Sequence, residues 1–370
     1  MNRILACALL LTAAACAADR EIAHTPGAAP AAVIELLEAL RTEFELPGLA
    51  VVVADDRTIV TAAAAGSTRI DSGNRITPVH RFHIGSISKP VTSTAIGLLV
   101  DRGILDWDDR ILDVMPMLAT EARPEYASIT LRQLLAHTAG IQPFEEDEEF
   151  ERLPAMTGDS RARRLAFAKM LLTLEPVASP GTVHEYSNAG YTIAAAVAEH
   201  VCDESFESLL ERLVFEPLGL ASAGYGPPVL VSDDEPSGHV RSESGWTATG
   251  TADPHGVRIL IRPAGDLHMN LVDLAKFGSE HLRGLNGLPG ILEPSTLRAL
   301  HTVVLDGYGL GWNVRERFDS HLGGLEGQHT AVLLIMKNEN RVYAAAVNAE
   351  IDDTSVFGRL ISTLRRLERD

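Results

Sequence analysis

The stretch FHIGSISKPVTSTAIGLLVDRG, residues 82–103, decides how this chain is read. Ser86 stands three residues before Lys89, and a run of small and apolar residues follows. Lysine is scarce: Lys89, Lys169, Lys276 and Lys337 are the whole supply. If a helix opens at Ser86 and continues through 91–100, Lys89 lies one turn on and shares its face, with Cβ atoms about 5–6 Å apart. Pro90 fits a first turn, where backbone N–H groups have no intrahelical partner. A serine is a weak nucleophile until something takes its proton. The positive end of a helix dipole disfavours an ammonium and favours a developing alkoxide, and burial lowers a lysine's pKa in the same direction. The spacing therefore suits a nucleophile and its proton acceptor. Taken alone, Ser-x-x-Lys equally describes a capping serine followed by a surface lysine.

The rest of the chain bounds the answer. Its 370 residues are 46% hydrophobic, ample for a large core, and nothing in the composition points to disorder. A net charge of −18 argues against nucleic acid or an anionic membrane surface as partner, since both call for clustered Lys and Arg. The opening MNRILACALLLTAAACAADRE has one positive charge, Arg3, before an apolar run and small residues ahead of Asp19. That is the plan of a secretory signal peptide (1–18), followed by a Pro/Ala linker (19–30), so the chain is expected to be exported to the periplasm or the exterior. Two exits stay open: cleavage near Ala17 or Ala18, or lipid attachment at Cys16. Either way Cys7 and Cys16 leave the soluble fold, and Cys202 is expected to form no intrachain disulfide.

Periodicity sets the organisation. AAVIELLEALRTEF is helical, and GLAVVVADD and TIVTAAAAG read as a hairpin turning at 55–57. TAVLLIMKN and RVYAAAVNA form a second hairpin near the other end, followed by an amphipathic helix, TSVFGRLISTLRRLE. The middle is mainly helical, with helices expected over 91–100, 131–136, 163–174, 189–201, 206–214 and 272–282. The economical fold is α+β: one antiparallel sheet built from both chain ends (31–88 and 305–370), flanked by helices, with a mainly helical domain (89–304) inserted. The acidic run 144–151 reads as solvated surface, and 225–256 as long loops near a site.

The Ser86 motif finds company. Tyr186 and Asn188 form a Tyr-x-Asn in SPGTVHEYSNAGY, after a Pro-Gly turn and before an alanine-rich helix. His321, Leu322, Gly323 and Gly324 open the C-terminal strands in SHLGGLEGQHTAVLL. With LLAHTAGI, FEPLGL and YGLGW in the connecting segments, the sequence resembles the serine β-lactamase-like superfamily along nearly its whole mature length. That superfamily covers class C β-lactamases, D-Ala-D-Ala carboxypeptidases and other penicillin-binding proteins, D-aminopeptidases and class C-related esterases. The resemblance implies an α/β sandwich of the β-lactamase/transpeptidase type and a serine hydrolase that needs no metal or organic cofactor. It implies that Ser86 is acylated, that Lys89 accepts its proton and that Tyr186 shuttles the proton to the leaving group. Asn188 would bind Lys89 and the substrate's acyl group, and His321, Gly323 and Gly324 would line the substrate strand. The amides of Ser86 and Gly324 would form the oxyanion hole. Whether Lys89 or Tyr186 is the base stays open, because their protons are coupled.

At the third motif the chain departs from the β-lactamase pattern Lys-Thr-Gly, which occurs nowhere in it. A histidine is largely neutral at pH 7 and attracts a substrate carboxylate less than a lysine does. Leu322 removes a hydroxyl that would help bind it. Both point towards an esterase or D-amino-acid peptidase acting on a small or peptide-like ester or amide, ahead of a true β-lactamase. A non-catalytic cell-wall sensor that keeps the fold is the alternative of another class. His321 could also be a strand histidine satisfied by a carbonyl, and His137 reads as bracing a loop. No Gly-x-Ser-x-Gly or His-Glu-x-x-His is present, and His80 and His83 lack a third ligand, so neither a nucleophile elbow nor a zinc site is expected.

Overall fold

Local chemistry starts each element. The computed structural model describes residues 30–370 apart from 71, 146–148, 151–152, 154–155, 252, 254–255, 325–326 and 370. The expected signal peptide and Cys16 therefore lie outside the described residues, as does the linker up to residue 29. Helix α1 (Ala31–Glu43) leads to a hairpin of β1 (Gly48–Ala54) and β2 (Ile59–Gly66). Asp55 closes that hairpin by accepting from the Arg57 and Thr58 amides at 2.8 and 2.7 Å, an Asx turn. The short β3 (Arg81–His83) feeds α2 (Ser88–Asp101) through one 3-10 turn, Gly85–Ile87. Next come α3 (Leu131–Leu135), begun by a Thr130/Gln133 capping box, then α4 (Ser160–Leu171), α5 (Asn188–Cys202) and α6 (Phe206–Leu210). After β4 (Gly224–Tyr225) and a hairpin of β5 (His239–Ser242) and β6 (Gly245–Ala248) stand α7 (Arg258–Gly265), β7 (Leu267–Asn270), α8 (Leu271–Leu285) and α9 (Pro294–Leu300). The last elements are β8 (Asn313–Val314), β9 (Phe318–Gly324), β10 (Thr330–Met336), β11 (Arg341–Val347) and α10 (Ser355–Leu367).

The main sheet runs β2-β1-β11-β10-β9-β8, antiparallel throughout, so strands from both ends of the chain lie side by side. Its two faces follow the strand period of two. Ala50, Val52, Leu333, Ile335, Val342 and Ala344 pack with α8 and the helical middle. Leu49, Val51, Val53, Tyr343, Ala345 and Val347 pack with Leu37 and Leu40 of α1 and Phe357, Leu360 and Leu364 of α10. Every β1 residue is buried, as a strand covered on both faces requires. Gly278 lets α8 lie close on the sheet: a Cβ there would stand 2.6 Å from Val342 Cγ1. This is the α+β architecture expected from the periodicity.

Several local expectations are corrected. The segment expected to be helical over 206–214 passes from α6 into a π-turn, Glu211–Phe215. The supposed loops of 225–256 contain the β5–β6 hairpin. In the acidic run read as solvated surface, Phe144 and Phe150 are buried against each other and Phe167, which holds its start inside the fold. Cys202 is disulfide-bonded. The other two cysteines, Cys7 and Cys16, lie outside the described residues, and the expectation of no disulfide rests on their removal with the leader.

Candidate active site

The turn between β3 and α2 projects Ser86. Gly85 sits at φ +50°, in the left-handed region that favours glycine. Ser88 ties the turn down, its hydroxyl donating to Gly85 O at 2.6 Å and accepting from the Leu267 amide at 3.2 Å. Ser86 itself precedes α2, in the 3-10 turn, and stays partly exposed, whereas Lys89 is wholly buried. The helix beyond is buried from Ser88 to Leu99, so its polar side chains find their partners inside the protein.

Three segments converge on Lys89. Its Nζ lies 3.0 Å from Ser86 Oγ and donates to Asn188 Oδ1 at 2.7 Å and to Ala264 O at 2.9 Å. The Ala264 carbonyl is free to accept because it belongs to the last turn of α7, where helix carbonyls lack internal partners. Burial holds the Lys89 ammonium well below the ordinary lysine range, while the Glu145 carboxylate pulls the other way. Such a shift moves the amine towards the state that can accept the serine proton.

Tyr186 and Asn188 arrive on the loop that starts α5. The Ser187 hydroxyl caps that helix, accepting from the Gly190 amide at 3.0 Å and donating to Gln142 O at 2.8 Å. Asn188 donates through Nδ2 to Phe144 O at 2.9 Å, which leaves Oδ1 facing Lys89. The Tyr186 ring lies 4.4 Å from Lys89 Nζ. Burial pushes the Tyr186 phenol up, opposed by its hydrogen bond to the Ser86 hydroxyl. It is therefore a neutral phenol at pH 7, able to give a proton.

The turn carrying Ser86 lies against β9. A Cβ on Gly85 would stand 2.5 Å from Gly324 N, and one on Gly323 would overlap Ile84 O and stand 2.9 Å from Ser86 N. Strand β8 pairs with β9 only at Asp319 and Ser320. Among the described residues, the outer edge of 321–324 has no strand partner, and the Ser86 turn lies against the inward face of Gly323. Gly324 is exposed, with nothing near its Cβ position.

His321 departs from the expectation that it faces substrate. Alternation along β9 turns Asp319, His321 and Gly323 inward and Leu322 and Gly324 outward. The His321 ring is buried, with Nδ1 2.7 Å from Leu322 O and Nε2 3.1 Å from the Tyr308 hydroxyl. Both nitrogens are thus engaged by the protein. Burial, with Lys89 alongside, lowers its pKa to about 3 although the Leu322 carbonyl acts in the opposite sense, so the ring is neutral. The outward group at this point of the strand is Leu322, 44% exposed.

The structure thus brings Ser86, Lys89, Tyr186 and Asn188 together beside Gly323 and Gly324, with His321 behind them. Sequence reasoning misses Ala264, whose part is played by a backbone carbonyl. It also misses Glu145, hidden in an acidic run, and Tyr308, although that residue opens the YGLGW segment. Among the described residues no group of three His, Cys, Asp or Glu side chains is arranged to hold a metal, and no helix is long and apolar enough to cross a membrane.

Comparison with known proteins adds a family. The Beta-lactamase family model matches residues 33–362. Penicillin-binding protein 4 of Amycolatopsis lactamdurans is 32% identical over 50% of this chain and 46% of its own length. Esterase EstB of Burkholderia gladioli is 28% identical over 51% and 49% respectively. The chain thus spans about half the length of these curated relatives. The D-amino acid amidase of Ochrobactrum anthropi SV3, solved with L-phenylalanine amide, superposes with a TM-score of 0.70 at 20% identity, covering 91% of this chain and 98% of that one.

Proposed function

For this chain, which belongs to the beta-lactamase family, we propose an exported serine hydrolase that forms an acyl-enzyme on Ser86 and cleaves an ester or amide. One observation carries the reading: a buried Lys89 Nζ held 3.0 Å from Ser86 Oγ by Asn188 and Ala264. The Ser86 oxygen attacks the acyl carbon as its proton passes to the neutral Lys89 amine. The tetrahedral oxyanion is received by the amides of Ser86 and Gly324; such preorganised donors are typically worth about 3–4 kcal/mol each. Tyr186, a neutral phenol bonded to the serine, gives a proton to the leaving nitrogen or oxygen as its bond to carbon breaks, and is reprotonated from Lys89. Water then attacks the ester on Ser86 with the same groups in reverse roles. The depressed Lys89 and the raised Tyr186 support Lys89 as the base for the first step.

The environment of β9 supports a substrate without a free carboxylate at the leaving side. A neutral, inward His321 and an apolar Leu322 stand where a cation and a hydroxyl would otherwise attract one. A carboxylate-free ester or amide fits better than a β-lactam or a peptide C-terminus. The esterase and D-amino acid amidase among the similar proteins agree with this class. Export rests on the leader-like residues 1–18, with Cys16 as the alternative lipid site.

A panel of nitrophenyl esters, D-amino-acid amides, D-Ala-D-Ala peptides and cephalosporins, run on wild type and Ser86→Ala, tests the reading. Turnover of esters or amides, lost in Ser86→Ala and accompanied by an acyl adduct on Ser86 by mass spectrometry, is expected. Adduct without turnover of any substrate would instead indicate a binding module, and cephalosporin turnover above that of the other classes a true β-lactamase.

A further inference from the structure

One residue brackets Tyr186 from both sides. The Glu185 amide donates to His137 O at 2.8 Å, and the Ser187 amide donates to His137 Nδ1 at 3.0 Å. Between them the His137 ring lies against the Tyr186 ring, centroids 4.4 Å apart and planes at 37°. His137 reaches this position with φ +59°, a left-handed conformation unusual for a residue with a side chain. Such strain persists only where the surroundings impose it, and it clusters at functional sites. Here the imposing contacts are the two amides that flank the tyrosine.

The ring's protonation follows from the same contacts. An Nδ1 that accepts from Ser187 leaves the ring's hydrogen on Nε2, which is buried without a hydrogen-bond partner. A second proton would put a cation among Lys89, His184 and His321, with the phenols of Tyr186, Tyr191 and Tyr308 packed around it. Burial and those neighbours hold the ring well below the ordinary histidine range, so His137 stays neutral.

We infer that His137 is the positioning residue for Tyr186, fixing the backbone on both sides of the phenol and supporting its ring so that the hydroxyl stays on Ser86. His137 itself exchanges no proton with substrate. The inference rests on the acyl-enzyme reading above and adds to it a residue that no hydrogen bond links to Ser86 or Lys89. A displacement of about 1 Å in such a group can cost about 100-fold in rate.

The test is a double-mutant cycle on nitrophenyl acetate hydrolysis, with acylation of Ser86 followed by mass spectrometry and folding checked by circular dichroism. His137→Ala is expected to lower kcat about 10–100-fold with KM within about twofold. His137→Asn keeps an acceptor for the Ser187 amide and tolerates the left-handed backbone, and is expected to regain about tenfold. In a Tyr186→Phe background both substitutions are expected to cost no more than about threefold, because their target is gone. Equal losses in the two backgrounds, or a wild-type kcat in His137→Ala, would overturn the inference. Should His137→Ala not fold, His137→Asn carries the cycle. Full activity in Ser86→Ala or in Tyr186→Phe would instead sink the acyl-enzyme reading, so the two failures are told apart.

Discussion

Asn188 faces Lys89 with its oxygen because its nitrogen is committed elsewhere: Nδ2 donates to Phe144 O at 2.9 Å while Oδ1 accepts from Lys89 Nζ at 2.7 Å. The amide thus stabilises the lysine without adding charge. Asn188→Asp would put a carboxylate in that place, and an opposite charge so close typically moves a pKa by about 1–3 units towards the charged form. The acid limb of kcat/KM against pH should move up by about that amount, with a loss of about 10–100-fold at pH 7. An acid limb that stays put would mean that Lys89 protonation does not gate the reaction.

Lys89 also sets a stability trend. Its folded-state pKa lies well below its unfolded value of about 10.4. Between those two values the unfolded chain binds the proton that the folded chain refuses, so stability falls as pH drops through that window. Lys89→Met removes the titration. Wild type should therefore lose stability relative to Lys89→Met on going from about pH 10 to pH 7, read by urea melts at the two values. A constant difference would contradict the burial assigned to the amine.

Three buried histidines make the fold acid-labile. Burial lowers His268 to about 4, and His321 and His329 to about 3. All three are neutral when folded and protonate near 6.5 once unfolded. Their depressed values mean that stability is complete above about pH 6.5 and is lost as pH falls towards 3–4, each costing up to about 2 kcal/mol at pH 5. The denaturation midpoint should drop accordingly between pH 7 and pH 5. In His329→Gln, if it folds, the drop should be smaller; an unchanged drop would exclude this residue.

Neighbouring glycines on β9 should behave differently. A methyl on Gly323 would overlap Ile84 O, so Gly323→Ala must separate the strand from the Ser86 turn. We expect a loss of about 1–3 kcal/mol in stability from that overpacking and an activity loss beyond what unfolding explains. Gly324 has nothing within 4 Å of its Cβ position, so Gly324→Ala should fold like wild type. Its effect should fall on KM and kcat, because the Gly324 amide is proposed to receive the oxyanion. Matching melting temperatures for the two variants would count against the close approach.

Relationships between residues a few positions apart are legible from the chain alone. Ser86 and Lys89 are one turn apart, and so their meeting needs only a helix start, here a 3-10 turn joined to α2. The two terminal hairpins are legible because the strand period of two marks their buried faces, as in the buried Val51, Val52 and Val53 that face alternate cores. The acidic run misleads because its charge hides Phe144 and Phe150, which decide its burial. His321 misleads because its ring direction depends on strand parity: paired with Leu333, it falls on the buried face.

Residue order and type thus specify the α+β architecture and the reactive side chains, because periodicity and short-range spacing are properties of the chain itself. They do not say that the Ala264 carbonyl points at Lys89, that Asn188 is turned by Phe144, or that His137 holds Tyr186 between two amides. The first two of those relationships join residues 175 and 44 positions apart, through backbone carbonyls of a kind that every residue carries. They exist only once the long-range packing has chosen which of those identical groups face one another.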